Sequence, residues 1–144
     1  MKNIVIITLI AVAVISCNKN QSAVKSLDGE WKSHKLILAS QPTVNLAAFS
    51  ELTLVFNECE LEDNEYCTMN TSIKLDNEPN TFNSTGLFKV SSEGTELEFK
   101  PNETSANPTL LDSIMTSGTF KITDLSGEDL KMTKDGDIFE FKKK

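Results

Sequence analysis

The chain has 144 residues, enough for one domain around a single core. Its 21 acidic residues outnumber its 14 basic ones, for a formal net charge of −7, and every basic residue is Lys. An acidic surface makes a poor nucleic-acid binder because phosphate contacts need a basic face, and the absence of Arg removes the bidentate clamp used for carboxylates and phosphates.

Met1-Lys2-Asn3 is a short positive start, followed by an apolar run from Ile4 to Ile15 broken only by Thr8. That run suits the core of a signal peptide and is too short to span a bilayer, which needs roughly 20 residues. It ends in Val14-Ile15-Ser16-Cys17, which resembles the lipobox of bacterial lipoproteins. The resemblance implies cleavage before Cys17 and acylation of that residue, so residues 1–16 are expected to be a lipoprotein signal peptide. Loss of this leader removes one Lys and makes the mature chain one unit more acidic. Residues 17–26 are polar and aperiodic and read as a tether between lipid and domain. Asn18 follows the Cys where an Asp would imply inner-membrane retention, so the resemblance implies the outer membrane, at its periplasmic face.

The domain is expected over residues 27–144. Leu27-Asp28-Gly29-Glu30-Trp31-Lys32 opens the first strand, Glu30 to Ala39, with the only Trp of the chain. Trp31 falls on one face while Leu36 and Leu38 fall on the other, which calls for a bend or bulge between them. Gln41 to Ser50, with Pro42 and Phe49, reads as a loop or single helical turn covering one end. Glu51 to Asn57 alternates Leu52, Leu54 and Phe56 with Thr53 and Val55, and Tyr66 to Leu75 places Cys67, Met69, Thr71, Ile73 and Leu75 on one face. If these two strands form a hairpin centred near Asp63, Cys59 and Cys67 lie opposite each other, and an exported, oxidising setting favours a disulfide over a metal site. The acidic loop between them lacks the spacing and the Gly of an EF-hand and reads as a solvated hairpin tip.

Thr81 to Ser91, with a bend at Gly86, and Thr95 to Lys100 are strands joined by a two-residue turn at Glu93-Gly94. That register sets Val90 against Leu97 and Phe88 against Phe99, and Lys89 against Glu98 on the other face. In the next stretch, Asn107-Pro108 resembles an N-cap with Pro at the first helical position, and Leu110 and Ile114 follow at helical spacing, so a short helix is expected. Thr119 to Asp124, Asp129 to Lys134 and Asp137 to Lys142 complete the strands. The Asp135-Gly136 tip predicts a tight hairpin with Met132 opposite Phe139, Leu130 opposite Phe141, Lys131 opposite Glu140 and Asp129 opposite Lys142.

Eight strands with one apolar face each, mostly joined as hairpins, predict an all-β, up-and-down antiparallel barrel, with a β-sandwich as the alternative. Gly29 and Trp31 at the first strand, with Thr123-Asp124 near the sixth, resemble the lipocalin-like lipoproteins of Gram-negative bacteria. In true lipocalins an Arg from the last strand lies against the Trp and a Tyr follows the Thr-Asp pair; this chain has no Arg, and Leu125 stands in the second position.

Enzyme signals are poor. His34 is the only His, so no His-based metal cluster can form, and no nucleophile elbow or phosphate-binding Gly loop is present. The expectation is a non-enzymatic, membrane-anchored module without cofactor or metal. In one reading it binds a small apolar ligand in a lumen lined by Trp31, Phe88, Phe99, Phe120, Met132 and Phe139. In the other these residues are plain core and the loops meet an envelope protein, such as a hydrolase that the module inhibits.

Overall fold

The computed structural model describes residues 19–39, 49–60, 65–75, 81–101 and 118–144. Eight strands follow one another: β1 (Gly29–Ile37), β2 (Phe49–Phe56), β3 (Cys67–Leu75), β4 (Thr81–Ser91), β5 (Glu96–Pro101), β6 (Gly118–Leu125), β7 (Asp129–Lys134) and β8 (Asp137–Lys143). Each pairs antiparallel with the next, and β8 pairs with β1, so the sheet is a closed up-and-down barrel. Closure leaves no strand edge open to a second chain.

Period-two alternation explains the core. Leu52, Leu54 and Phe56 of β2, Cys67, Met69 and Ile73 of β3, and Phe88 and Val90 of β4 are buried, as are Leu97 and Phe99 of β5, Phe120 of β6, Leu130 and Met132 of β7, and Phe139 and Phe141 of β8. The two hairpin registers read from the sequence are present, Phe88 facing Phe99 across β4–β5 and Met132 facing Phe139 across β7–β8. Charges meet on the outer wall: Lys131 Nζ lies 3.0 Å from Glu140, and Lys142 pairs with Asp129. The predicted irregularity in β1 is a register shift between Ser33 and Lys35 that leaves His34 exposed as the extra residue. It lets Trp31 and Leu38 both turn inward although the offset between them is odd and would put them on opposite faces of a regular strand. Two further shifts, between Phe49 and Glu51 and between Ile122 and Asp124, carry no signal in the residue pattern.

Four readings need correction or limits. Residues 19–27 form a helix, α1, rather than the end of a tether. Ala23, Val24 and Leu27 make a narrow apolar stripe, and all three are buried against the barrel. A helix of this length has little stability of its own in water, so docking rather than propensity holds it. Phe49 and Ser50 belong to β2 and not to a covering loop. The β4–β5 connection is wider than two residues, with Ser91 paired to Glu96 and left-handed backbone at Ser92, Glu93 and Gly94. Cys17, the covering segment over 41–48 and the helix expected after Asn107-Pro108 lie outside the described residues.

The barrel has two unlike ends. At one, where β1, β3, β5 and β7 begin, α1 packs against Trp31, the β4–β5 turn and Lys143. At the other, the mouth, lie the hairpin tip Asp135-Gly136 and the strand ends that lead into residues 40–48, 76–80 and 102–117.

Candidate functional site

The inward side chains converge on a band of phenylalanines. Phe56 meets Phe88 edge to face at 4.9 Å between centroids and stacks on Phe99 at 6.3 Å. Phe99 meets Phe120 at 5.2 Å, and Phe120 meets Phe139 at 5.4 Å, both edge to face. These separations lie within the range where aromatic pairs attract beyond simple burial. Each ring in this chain is 2 % exposed or less, and Met132 beside them is fully buried.

Trp31 closes the band at the α1 end. Its indole Nε1 donates to the Leu27 carbonyl at 2.6 Å, which satisfies both a buried donor and one of the carbonyls left open at the helix C-terminus. Lys143 of the last strand stands over the indole with Nζ 5.2 Å from the ring centroid, and donates to the Ser26 carbonyl at 3.2 Å. A lysine therefore occupies, against Trp31, the place where the lipocalin pattern has Arg. The cation attracts the ring face, and its methylene stem covers apolar surface at the same time.

Polar groups mark the half nearer the mouth. The Thr71 hydroxyl, in β3, reaches the Ser84 carbonyl at 3.4 Å, and both residues are buried. Asp137 is buried where β8 begins, and across the hairpin Lys134 holds its ammonium 5.1 Å from the centre of the Phe120 ring. The Cys59–Cys67 disulfide joins the hairpin between β2 and β3, with Cα atoms 5.8 Å apart. It holds this loop beside α1, where Gln21, Lys25, Cys59 and Glu60 line a shallow cleft. Outside the barrel, a groove over β2–β4 is lined by Val55, Asn70, Ser72, Asn83 and Thr85, with no charged side chain among these five.

The structure therefore gathers five of the six expected lumen residues, Phe88, Phe99, Phe120, Met132 and Phe139, in one interior, and sets Trp31 as its floor. Phe56 belongs to the same ring chain and was legible as the third inward residue of β2. Thr71 lies on the inward face that the alternation of β3 predicts, and nothing in the sequence marks it as part of a site. Ser84, Lys134 and Asp137 carried no signal, because their position near the mouth depends on the barrel's closure. His34 is exposed on the outer wall at the β1 register shift and does not face the interior.

No protein-family model matches the chain, and no curated protein matches it. Among solved structures it is similar to a lipocalin-like protein from Bacteroides uniformis, with a TM-score of 0.58 and 16% sequence identity over 83% of this chain and 99% of that one. At that identity the likeness establishes the fold: a lipocalin-like, eight-stranded up-and-down barrel.

Proposed function

We propose that this chain is an exported, lipid-anchored barrel of the bacterial cell envelope that binds a small uncharged apolar ligand and does no chemistry on it. The observation that carries the reading is the inner face itself. It carries a chain of five phenylalanine rings with Met132 among leucine, isoleucine and valine side chains, capped at one end and bordered by a few polar groups at the other, which is the composition of a site for apolar molecules. The lipocalin-like fold supports binding as the mode of action. The lipobox-like run ending at Cys17 supports the anchor, held at the periplasmic face of the outer membrane.

An environment-sensitive apolar dye titrated into the mature domain should saturate at about one site, and Phe120→Ala or Phe139→Ala should shift its affinity. Each substitution also costs roughly 3–5 kcal/mol where the ring is core, so circular dichroism accompanies every titration. Saturable turnover of a substrate would overturn the non-enzymatic reading. Mass spectrometry of the native protein should show an acylated N-terminus at Cys17, and a Cys17→Ser protein that still fractionates with membranes would overturn the anchor.

The mutual contacts of the rings favour a second reading. A ligand can enter only if Phe99, Phe120 and Phe139 move apart, whereas a packed interior serves a rigid barrel whose mouth-side segments meet an envelope protein. A folded domain that takes up no apolar probe selects this second reading.

A further inference from the structure

The geometry points to an interaction surface: the α1-capped end of the barrel stands on a lipid bilayer, and the mouth points away from it. The inference rests on the reading of Cys17 as the acylated residue. Lys19, the first described residue of α1, is two residues beyond Cys17. Two residues reach at most about 7 Å even when fully extended.

The helix that receives this short link is fixed to the barrel at both ends. At its start, Lys19 pairs with Glu93, and the Gly94 amide donates to Asn20 Oδ1 at 2.8 Å. In its middle, Ala23 and Val24 are buried, and a Cβ added at Gly94 would come within 3.1 Å of the Ala23 methyl. At its end, Leu27 is fully buried and accepts the Trp31 indole hydrogen bond. The lipid therefore leaves the protein beside the β4–β5 turn, at the rim of the capped end. A flexible ten-residue tether would have a mean reach of roughly 17 Å and would let the barrel adopt any orientation. With α1 docked, that freedom is gone.

The mouth lies at the opposite ends of the same strands. β8 alone, Asp137–Lys143, separates the two ends by roughly 15 Å along the barrel axis, given the usual rise and tilt. Headgroup attraction is not what sets the orientation, because the capped rim exposes Asp28, Glu58, Glu60, Glu93 and Glu128 against Lys19, Lys25 and Lys144, of which Lys19 and Lys144 are themselves paired with carboxylates. The short link does, so the orientation is insensitive to lipid charge and to salt. A ligand or partner then reaches the mouth from the aqueous compartment and not from the bilayer beneath.

The test uses the mature chain in nanodiscs that carry a nitroxide on the lipid headgroup, read by amide NMR. Signals of Gly94 and Gly127, at the capped end, should be lost, while that of Gly136, at the mouth, keeps its intensity. The pattern should be the same in zwitterionic and anionic lipid. Equal loss at all three glycines, or loss at Gly136 alone, would overturn the orientation. A variant with a ten-residue Gly-Ser insert between Asn18 and Lys19 should equalise the three signals, and an unchanged pattern in that variant would show that something other than the short link orients the barrel and would overturn the proposal. Coupling Cys17 of the mature chain to a maleimide lipid separates the two readings, because the orientation is then tested whether or not the native protein is acylated.

Discussion

Trp31 is where several requirements meet. It must be buried, its indole N–H needs an acceptor, and the carbonyl at the end of α1 needs a donor; one 2.6 Å hydrogen bond answers both polar demands. Trp31→Phe keeps an aromatic ring but removes the five-membered ring of the indole with its N–H, and leaves the Leu27 carbonyl without this partner. Urea unfolding followed by circular dichroism should show a loss of about 1–3 kcal/mol, the usual cost of such an orphaned group. Gly136 carries a different demand: with φ +90° beside Asp135 at +52°, the hairpin tip is left-handed at both positions. Gly136→Val should cost about 1–2 kcal/mol, because a β-branched residue resists that backbone, with an unchanged far-ultraviolet spectrum. The second requirement was legible in the Asp-Gly pair; the first was not. Nothing in the order of residues says that Lys143 will lie over Trp31, since more than a hundred positions separate them and only barrel closure brings them together.

Elements were more legible than sites, for a physical reason. A strand announces itself through alternation within a few residues, so β2–β8 and the irregularity in β1 could be read from local pattern. α1 could not, because its buried stripe is three residues among polar neighbours and its stability comes from the surface that receives it. The disulfide lies between these cases: Cys59 and Cys67 become opposed only once the β2–β3 register is set. In the chain-entropy account, a bridge closing so short a loop stabilises by about 2–3 kcal/mol, and the Cys59→Ser/Cys67→Ser variant should show that loss in its urea midpoint. Alkylation without reduction should label neither thiol in the parent.

Ion pairs stitch neighbouring strands on the outer wall. Lys32 hydrogen-bonds Glu51 and holds its carboxyl below the ordinary value, against a smaller opposing effect of burial, and Lys131 does the same for Glu140. Their stabilisation is present above the unfolded carboxylate pKa and is lost as pH falls through the lowered folded value. Asp129 raises Lys142 and Glu30 raises Lys144 by hydrogen bonding, so that share is present below the unfolded lysine pKa and is lost as pH rises through the raised folded value. Urea midpoints should therefore form a plateau between about pH 5 and pH 9 and fall on both sides. All these pairs lie on the outer wall, exposed or half-buried, so 1 M salt should flatten both shoulders.

At the scale of the whole molecule, topology was legible because each strand's apolar face had to be buried and hairpin connections leave few ways to do so. The identity of the ligand was not, since the same alternation serves a core and a lumen alike. Barrel closure has a kinetic consequence as well. Seven of the eight strand pairings join neighbours in sequence, whereas β1–β8 sets Trp31 beside Lys143, and α1 reaches Gly94 across 74 residues. Local hairpins form while the loop entropy is small, and the β1–β8 seam must wait for a closure that spans nearly the entire chain. The transition state for folding should then be a curved, open ribbon, with the seam and the α1 cap added on the downhill side. Phe141→Leu in β8 should mainly speed unfolding, and Phe99→Leu in β5 should mainly slow folding, in stopped-flow chevrons of the two variants. The barrel would thus shut only after the rate-limiting step and, once shut, would open first along the line where its beginning meets its end.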